Sequence, residues 1–181
     1  MFFDGDPPLK FNVFIQLIEA LAFLHYGCGA DPCNPRMPQK GWDAIYHADI
    51  KANNVLVMSN YSTSSSAYPN IVLADFGLSS VQSFEAFDKK RRHNKMRMDV
   101  KAVDRIVLAY DFCDRVDSQY WGEDLTEEDL QAFVDNLEYK AKELYEWLAL
   151  AFFDDNITAL GLLREMVPQG KEIMARISDK E

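Results

Sequence analysis

Apolar residues recur every three or four positions over the first stretch of the chain. Phe11, Phe14, Leu17, Ile18, Leu21 and Leu24 fall on one helical face, the spacing a 3.6-residue turn demands. Pro7 and Pro8 open this helix, it closes at His25, and Gly27 stands where a cap belongs. The period then changes. Val55-Leu56-Val57 and Ile71-Val72-Leu73 are short apolar runs that read as two antiparallel strands. From Asp99 the helical period returns, with Val103, Ile106, Val107, Tyr110 and Phe112 as one stripe. Thr126 followed by Glu127, Glu128 and Asp129 opens another helix, a capping hydroxyl with acids at the positive end of the dipole. Leu130, Phe133, Val134, Leu137, Leu144, Trp147 and Leu148 form its apolar stripe. A last helix or pair runs through Leu160, Leu162, Leu163 and Met166, breaks near Pro168 and Gly170, and resumes to Ile177. The whole predicts a mainly α chain, α+β overall, with one small β-hairpin.

Two irregular stretches interrupt this pattern. Residues 27–43 hold Gly27, Gly29, Pro32, Pro35, Pro38 and Gly41, and residues 59–70 form a polar link rich in serine. Both read as insertions at surface turns. There are no internal repeats.

The polar residues at the ends of the two strands carry the candidate chemistry. His47-Ala48-Asp49-Ile50-Lys51-Ala52-Asn53-Asn54 runs straight into the first strand, and the second delivers Asp75-Phe76-Gly77. Antiparallel pairing brings these segments side by side, so Asp49, Asn54 and Asp75 are expected to face one cleft.

The two segments read H-x-D-I-K-x-x-N and D-F-G, and together they resemble the catalytic loop and metal-binding segment of eukaryotic protein kinases. The resemblance implies a phosphoryl-transfer site, where catalysis rests on positioning and charge neutralisation. It implies that Asp49 accepts the proton of a substrate hydroxyl and that Lys51 neutralises the moving phosphate. It implies that Asp75 and Asn54 each hold a Mg²⁺ ion on ATP. A lysine at position 51 implies serine or threonine rather than tyrosine as acceptor. The helix ending in Ala20-Leu21-Ala22-Phe23-Leu24-His25 is similar to the one preceding that loop in kinases, and Asp99-Val100 resembles the start of the central helix of their large lobe.

Some family features are missing from the sequence. The 46 residues before His47 contain no glycine-rich loop and no strand lysine. Gly27-Cys28-Gly29-Ala30-Asp31-Pro32 has a proline where a third glycine would stand and follows a helix rather than a strand. The expectation is a protein-kinase-like large lobe without the small lobe, spanning residues 1–181 and most recognisable over 8–110. Alanine at 48 replaces the family's arginine, so phosphorylation of an activation loop is not expected to act through this position. No A-P-E string follows Gly77, and residues 78–98 are too few for an ordinary activation and docking segment.

Composition narrows the partners. A net charge of −10 argues against nucleic acid. The longest apolar run, Trp147 to Phe153, is too short to cross a membrane. Three cysteines, an odd number, suit a reducing intracellular, cytoplasmic setting. His25, Cys28 and Cys33 lack a fourth ligand at zinc-site spacing. Lys89 to Arg97 is a basic island readable as a nuclear address or a seat for an acidic peptide, with a solvated loop preferred.

Three functions follow. The first is an ATP- and Mg²⁺-dependent serine/threonine protein kinase acting on a protein substrate. The second is a pseudokinase or scaffold that binds a protein partner. The third, a small-molecule kinase, is disfavoured by Lys51. Substrate and oligomeric state are left open.

Overall fold

The computed structural model describes residues 7–29, 36–58, 68–83, 88–115 and 156–178, together with Asp135, Lys142 and Glu146. The fold is mixed α+β, with two small antiparallel sheets. Helix α1, Pro7–Tyr26, is the axis of the core. Phe14, Leu17, Ile18, Leu21 and Ala22 are fully enclosed, and so is His25. Helix α2, the two sheets and the terminal helical run all adjoin α1 directly or through a neighbour. A helix apolar on most of its circumference has to be covered in this way.

Gly27 ends α1 at a φ of 70°, with its N–H on the Phe23 carbonyl at 2.7 Å, the left-handed cap that glycine favours. A side chain there has no room, because a β-carbon would lie 2.7 Å from Cδ2 of Trp42. Trp42 closes the end of the helix, donating its indole N–H to the Leu24 carbonyl at 3.0 Å and packing edge-on against Phe23. The chain is thereby delivered to strand β1.

Strands β1 (Ala44–Tyr46), β2 (Val55–Met58), β3 (Asn70–Leu73) and β4 (Ser80–Gln82) pair in a nested way, β2 with β3 and β1 with β4. The β2–β3 hairpin is the one the sequence predicts, in the register Val55↔Leu73 and Met58↔Asn70. Gln16 of α1 anchors it, accepting the Ile71 N–H at 2.7 Å and donating to the Pro69 carbonyl at 3.0 Å. The β1–β4 sheet is an addition to the sequence reading. Three residues per strand are too few to show a period.

Helix α2, Lys89–Arg115, corrects two expectations. It begins well before Asp99, and the basic island is its first turns rather than a loop. Asp88 caps it, its carboxylate accepting the Arg91 N–H at 2.9 Å. Cations in a first turn are unfavourable by about 0.3–1 kcal/mol each against the helix dipole. Burial of Met96, Val100, Val103 and Val107 against the core outweighs that.

The terminal run also differs from expectation. Thr158 caps a single turn, α3 (Ala159–Gly161), its hydroxyl accepting the Gly161 N–H at 3.0 Å. A π-helical segment, Leu162–Met166, leads into α4, Val167–Ser178. Pro168 does not break the chain. It lies inside a helical run continuous from Ala159 to Ser178, directly after the π-helical segment, whose wider turn accompanies the missing N–H. The helix expected from Thr126, the acidic residues 123–129, Cys33 and most of the 59–70 link lie outside the described residues, as do the side chains of Tyr110 and Phe112. No described helix is long and apolar enough to cross a membrane.

Asp104 on α2 is 1% exposed, and among the described residues neither carboxyl oxygen has a hydrogen-bond partner. Burial pushes its pKa well above the carboxylate range, and Lys101 opposes this. Above pH ~4 the unfolded chain releases this proton while the folded chain keeps it. Stability therefore falls as pH rises from ~4 to the raised folded pKa. Asp104→Leu should flatten that slope and stabilise the protein at pH 7 by about 1–3 kcal/mol, the usual penalty of an unsatisfied buried polar group. Urea unfolding at pH 4 and pH 8 measures it. A less stable Leu variant at pH 7 would show that the carboxyl makes an interaction worth more than its burial costs.

Candidate functional site

The site is built where the two nested ladders leave a gap. Residues 47–54 and 74–79 run between Tyr46↔Ser80 on one side and Val55↔Leu73 on the other. The Ala74 N–H on the Asn54 carbonyl, at 2.8 Å, extends the inner ladder into this gap. The ends of both motifs are thus fixed side by side.

His47 ties the two segments together. Its Nδ1 accepts the Asp49 N–H at 3.3 Å, which leaves Nε2–H to donate to the Ala74 carbonyl at 2.9 Å. The ring packs on Phe76 with centroids 4.6 Å apart. His47 is fully buried, so this neutral tautomer is set by its two partners.

Asp99 holds the same loop from below. It is 3% exposed, and its carboxylate accepts the His47 N–H at 2.9 Å, the Ala48 N–H at 3.0 Å and His25 Nε2 at 3.0 Å. Ala48 sits at a φ of 63°, a left-handed conformation that is unfavourable by roughly 1–2 kcal/mol for a residue with a β-carbon. The charge-assisted bond from its N–H to Asp99 offsets the strain.

Asp49, Lys51 and Asn54 come together. Lys51 Nζ donates to Asp49 Oδ2 at 2.7 Å, and Asn54 Nδ2 donates to both the Asp49 carbonyl at 2.8 Å and Oδ2 at 3.1 Å. Two acceptor oxygens facing the Asn54 amide fix its nitrogen toward Asp49, so Oδ1 is the atom left to meet a cation. The hydrogen bond from Lys51 does most to lower the Asp49 pKa, burial opposes it, and the hydrogen bond from Asn54 adds to the lowering, while Asp49 raises the pKa of Lys51. This exposed pair contributes little to stability. It holds a carboxylate and an ammonium group in one place.

Asp75 stands at the far side of the gap at a φ of 63°, where its carboxylate accepts the Gly77 N–H at 3.3 Å. The left-handed region is one that aspartate tolerates. Asp75 is exposed, and its charge is felt at Lys51. Leu56, Met58 and Val72 form an exposed apolar shelf on the outer face of the hairpin, and Phe76 and Leu78 are exposed as well.

Asp99, His25 and Gln16 are positioning residues that the sequence reading did not assign. A lone glutamine on the wall of an apolar helix was the available signal for Gln16. Asp99 was read only as a helix start. His25 faces Asp99 rather than a metal, and Cys28 is a buried free thiol whose pKa burial raises. Among the described residues, no three His, Cys, Asp or Glu side chains gather as a metal group. The candidate oxygen set differs in containing the Asn54 amide. Compared with family models, curated proteins and solved structures, the chain matches none.

Proposed function

We propose that these residues form the acid–base and metal-binding half of a phosphoryl-transfer site, of the kind found in serine/threonine protein kinases. The observation that carries this reading is the convergence of Asp49, Lys51 and Asn54 with Asp75 close enough to influence Lys51. A base, a cation and two oxygen donors across one gap are what transfer of a phosphoryl group to a hydroxyl needs. The large-lobe fold is part of the same proposal. In its support, a helix precedes the loop, two short strands carry the motifs, and a long helix bears the carboxylate that grips the loop.

The donor set fits Mg²⁺ and a nucleotide. Asn54 Oδ1 and the exposed Asp75 carboxylate are hard oxygen donors, and magnesium takes only one or two of these from protein. Bound there, Mg²⁺–ATP would supply the phosphoryl group and neutralise its charge. The chain's own residues do the rest. Lys51 is poised to shift from Asp49 toward an anionic phosphate, and that shift would remove the largest influence that holds the Asp49 pKa down. The exposed shelf of Leu56 and Val72 offers a flat apolar surface to a base ring.

The test is Mg²⁺-dependent binding of ATP by the 181-residue chain, followed by NMR or calorimetry. Weak binding that requires Mg²⁺ and disappears in Asp75→Ala and Asn54→Ala is expected. Binding indifferent to both substitutions would remove the site from consideration. The scaffold alternative draws on the same exposed shelf, which a protein partner could cover. Retention of Asp49, Lys51, Asn54 and Asp75 favours the enzyme.

A further inference from the structure

The outer face of α2 is a cationic stripe. Lys90, Arg91, Asn94, Met98, Lys101 and Arg105 follow one another at three- and four-residue steps, so they share one side of the helix. All but the half-buried Lys101 are exposed, and Met98 at the centre is 69% exposed. The stripe reaches past the basic island by two turns, which the sequence alone did not suggest.

The described carboxylates of the helix and its cap neutralise this face only at its edges. Asp99 is turned inward to His47 and Ala48, and Asp104 is buried. Asp88 caps the helix at the Arg91 N–H, at one end of the stripe, and Asp104 lies buried beside Lys101, so in a chain of net charge −10 the stretch from Asn94 to Arg105 has no exposed acid among the described side chains of α2. Lys95 is likewise committed inward, donating to Ser80 Oγ at 3.0 Å and lying over the Tyr46 ring. What is left facing outward from the described part of α2 is one sign of charge around one apolar side chain.

We infer that this face of α2 is a docking surface for an acidic peptide segment of a partner protein. Residues 90–105 span about 22 Å of helix, which an extended peptide of about seven residues matches. Acids on such a peptide meet Lys90, Arg91 and Arg105, and Met98 takes an apolar side chain between them. A polynucleotide carries the same sign of charge but is less suited. Its phosphates continue past the stripe into the field of an acidic molecule, whereas a short peptide ends. The surface lies on the side of α2 away from the Asp99 contacts, so it is distinct from the candidate phosphoryl-transfer site and does not depend on that reading.

The experiment is fluorescence anisotropy of the whole 181-residue chain with a labelled seven-residue Asp/Glu peptide. A Lys-rich peptide and a single-stranded DNA oligonucleotide are run at the same ionic strength. The triple variant Lys90→Glu, Arg91→Glu, Arg105→Glu should weaken acidic-peptide binding about tenfold or more, equivalent to at least ~1.4 kcal/mol. The same reversals at exposed Lys40, Lys171 and Arg176 alter net charge equally and should leave binding near wild type. If circular dichroism shows the triple Glu variant to be unfolded, glutamines at the three stripe positions replace it, with a smaller loss expected. The inference is overturned if stripe and control variants bind alike, if the Lys-rich peptide binds as well, or if DNA binds more tightly than the acidic peptide. A salt-sensitive dimer in sedimentation, dispersed by the stripe variant, would instead assign the face to a second copy of the chain and also overturn it.

Discussion

Asp99→Ala should destabilise the protein by about 3–5 kcal/mol, since it leaves several buried donors unsatisfied at about 1–3 kcal/mol each. The carboxylate has three donors converging on it, two backbone N–H groups of the loop and the ring of His25. Alanine leaves all three without that acceptor in a dry site, and Ala48 loses what holds its left-handed backbone. Asp99→Asn is nearly isosteric but not a rescue. Either orientation of the amide turns its NH₂ toward a backbone N–H that also donates. It should recover part of the loss and no more. Urea unfolding gives the stability, and hydrogen exchange at the His47 and Ala48 amides should speed up in both variants. An alanine variant within about 1 kcal/mol of wild type, the worth of one ordinary hydrogen bond, would mean that Asp99 is not the loop's anchor.

The second large effect concerns turnover. The 181-residue chain alone should phosphorylate a generic serine/threonine substrate at a rate no greater than its Asp75→Ala variant. It presents a base, a lysine and two oxygen donors, but its sequence contains no glycine-rich loop to close over the phosphates. Alignment of reacting groups corresponds to effective molarities of about 10⁵–10⁸ M. A general base, the role proposed for Asp49, accounts for roughly 10²–10⁴-fold. Positioning dominates, so keeping the base without the alignment leaves little rate. A phosphotransfer assay on purified chain, with the Asp75→Ala control beside it, decides the matter. Activity clearly above that control would show that this half-site orients ATP unaided.

What could be read from the sequence follows from what a period can report. Phe11 to Leu24 mark α1 because every turn places an apolar side chain on the same wall. Val55–Val57 and Ile71–Leu73 mark the hairpin because each run is apolar and bounded by polar residues. The polar residues at its ends fall where the alternation predicts, and Asp49, Lys51 and Asn54 do meet. Ala44–Tyr46 and Ser80–Gln82 are too short for alternation, and each strand's pairing depends on a partner more than thirty positions away. The start of α2 was hidden because its first turns contain charges and no apolar residue before Met96. Pro168 was read as a break because a proline's position within a helical turn is not visible in a one-dimensional pattern. The roles of Asp99 and His47 escaped because their partners are backbone N–H and C=O groups, which every residue type carries.

The nesting of the strand pairs has a consequence for how the site comes into being. Pairing of β2 with β3 closes the shorter chain segment, and pairing of β1 with β4 closes a segment that already contains it. Once the inner ladder has zipped, the outer one has only the two flanking arms, 47–54 and 74–79, left to close. Loop-closure entropy rises with the length still open, by roughly 0.6 kcal/mol per doubling, so the inner-first order is the less costly one. The candidate site is then an internal loop, stitched at both ends, and its two arms cannot part without unzipping one of the ladders. Asp49 and Asp75 therefore belong to one loop that is closed at both ends before any ligand arrives.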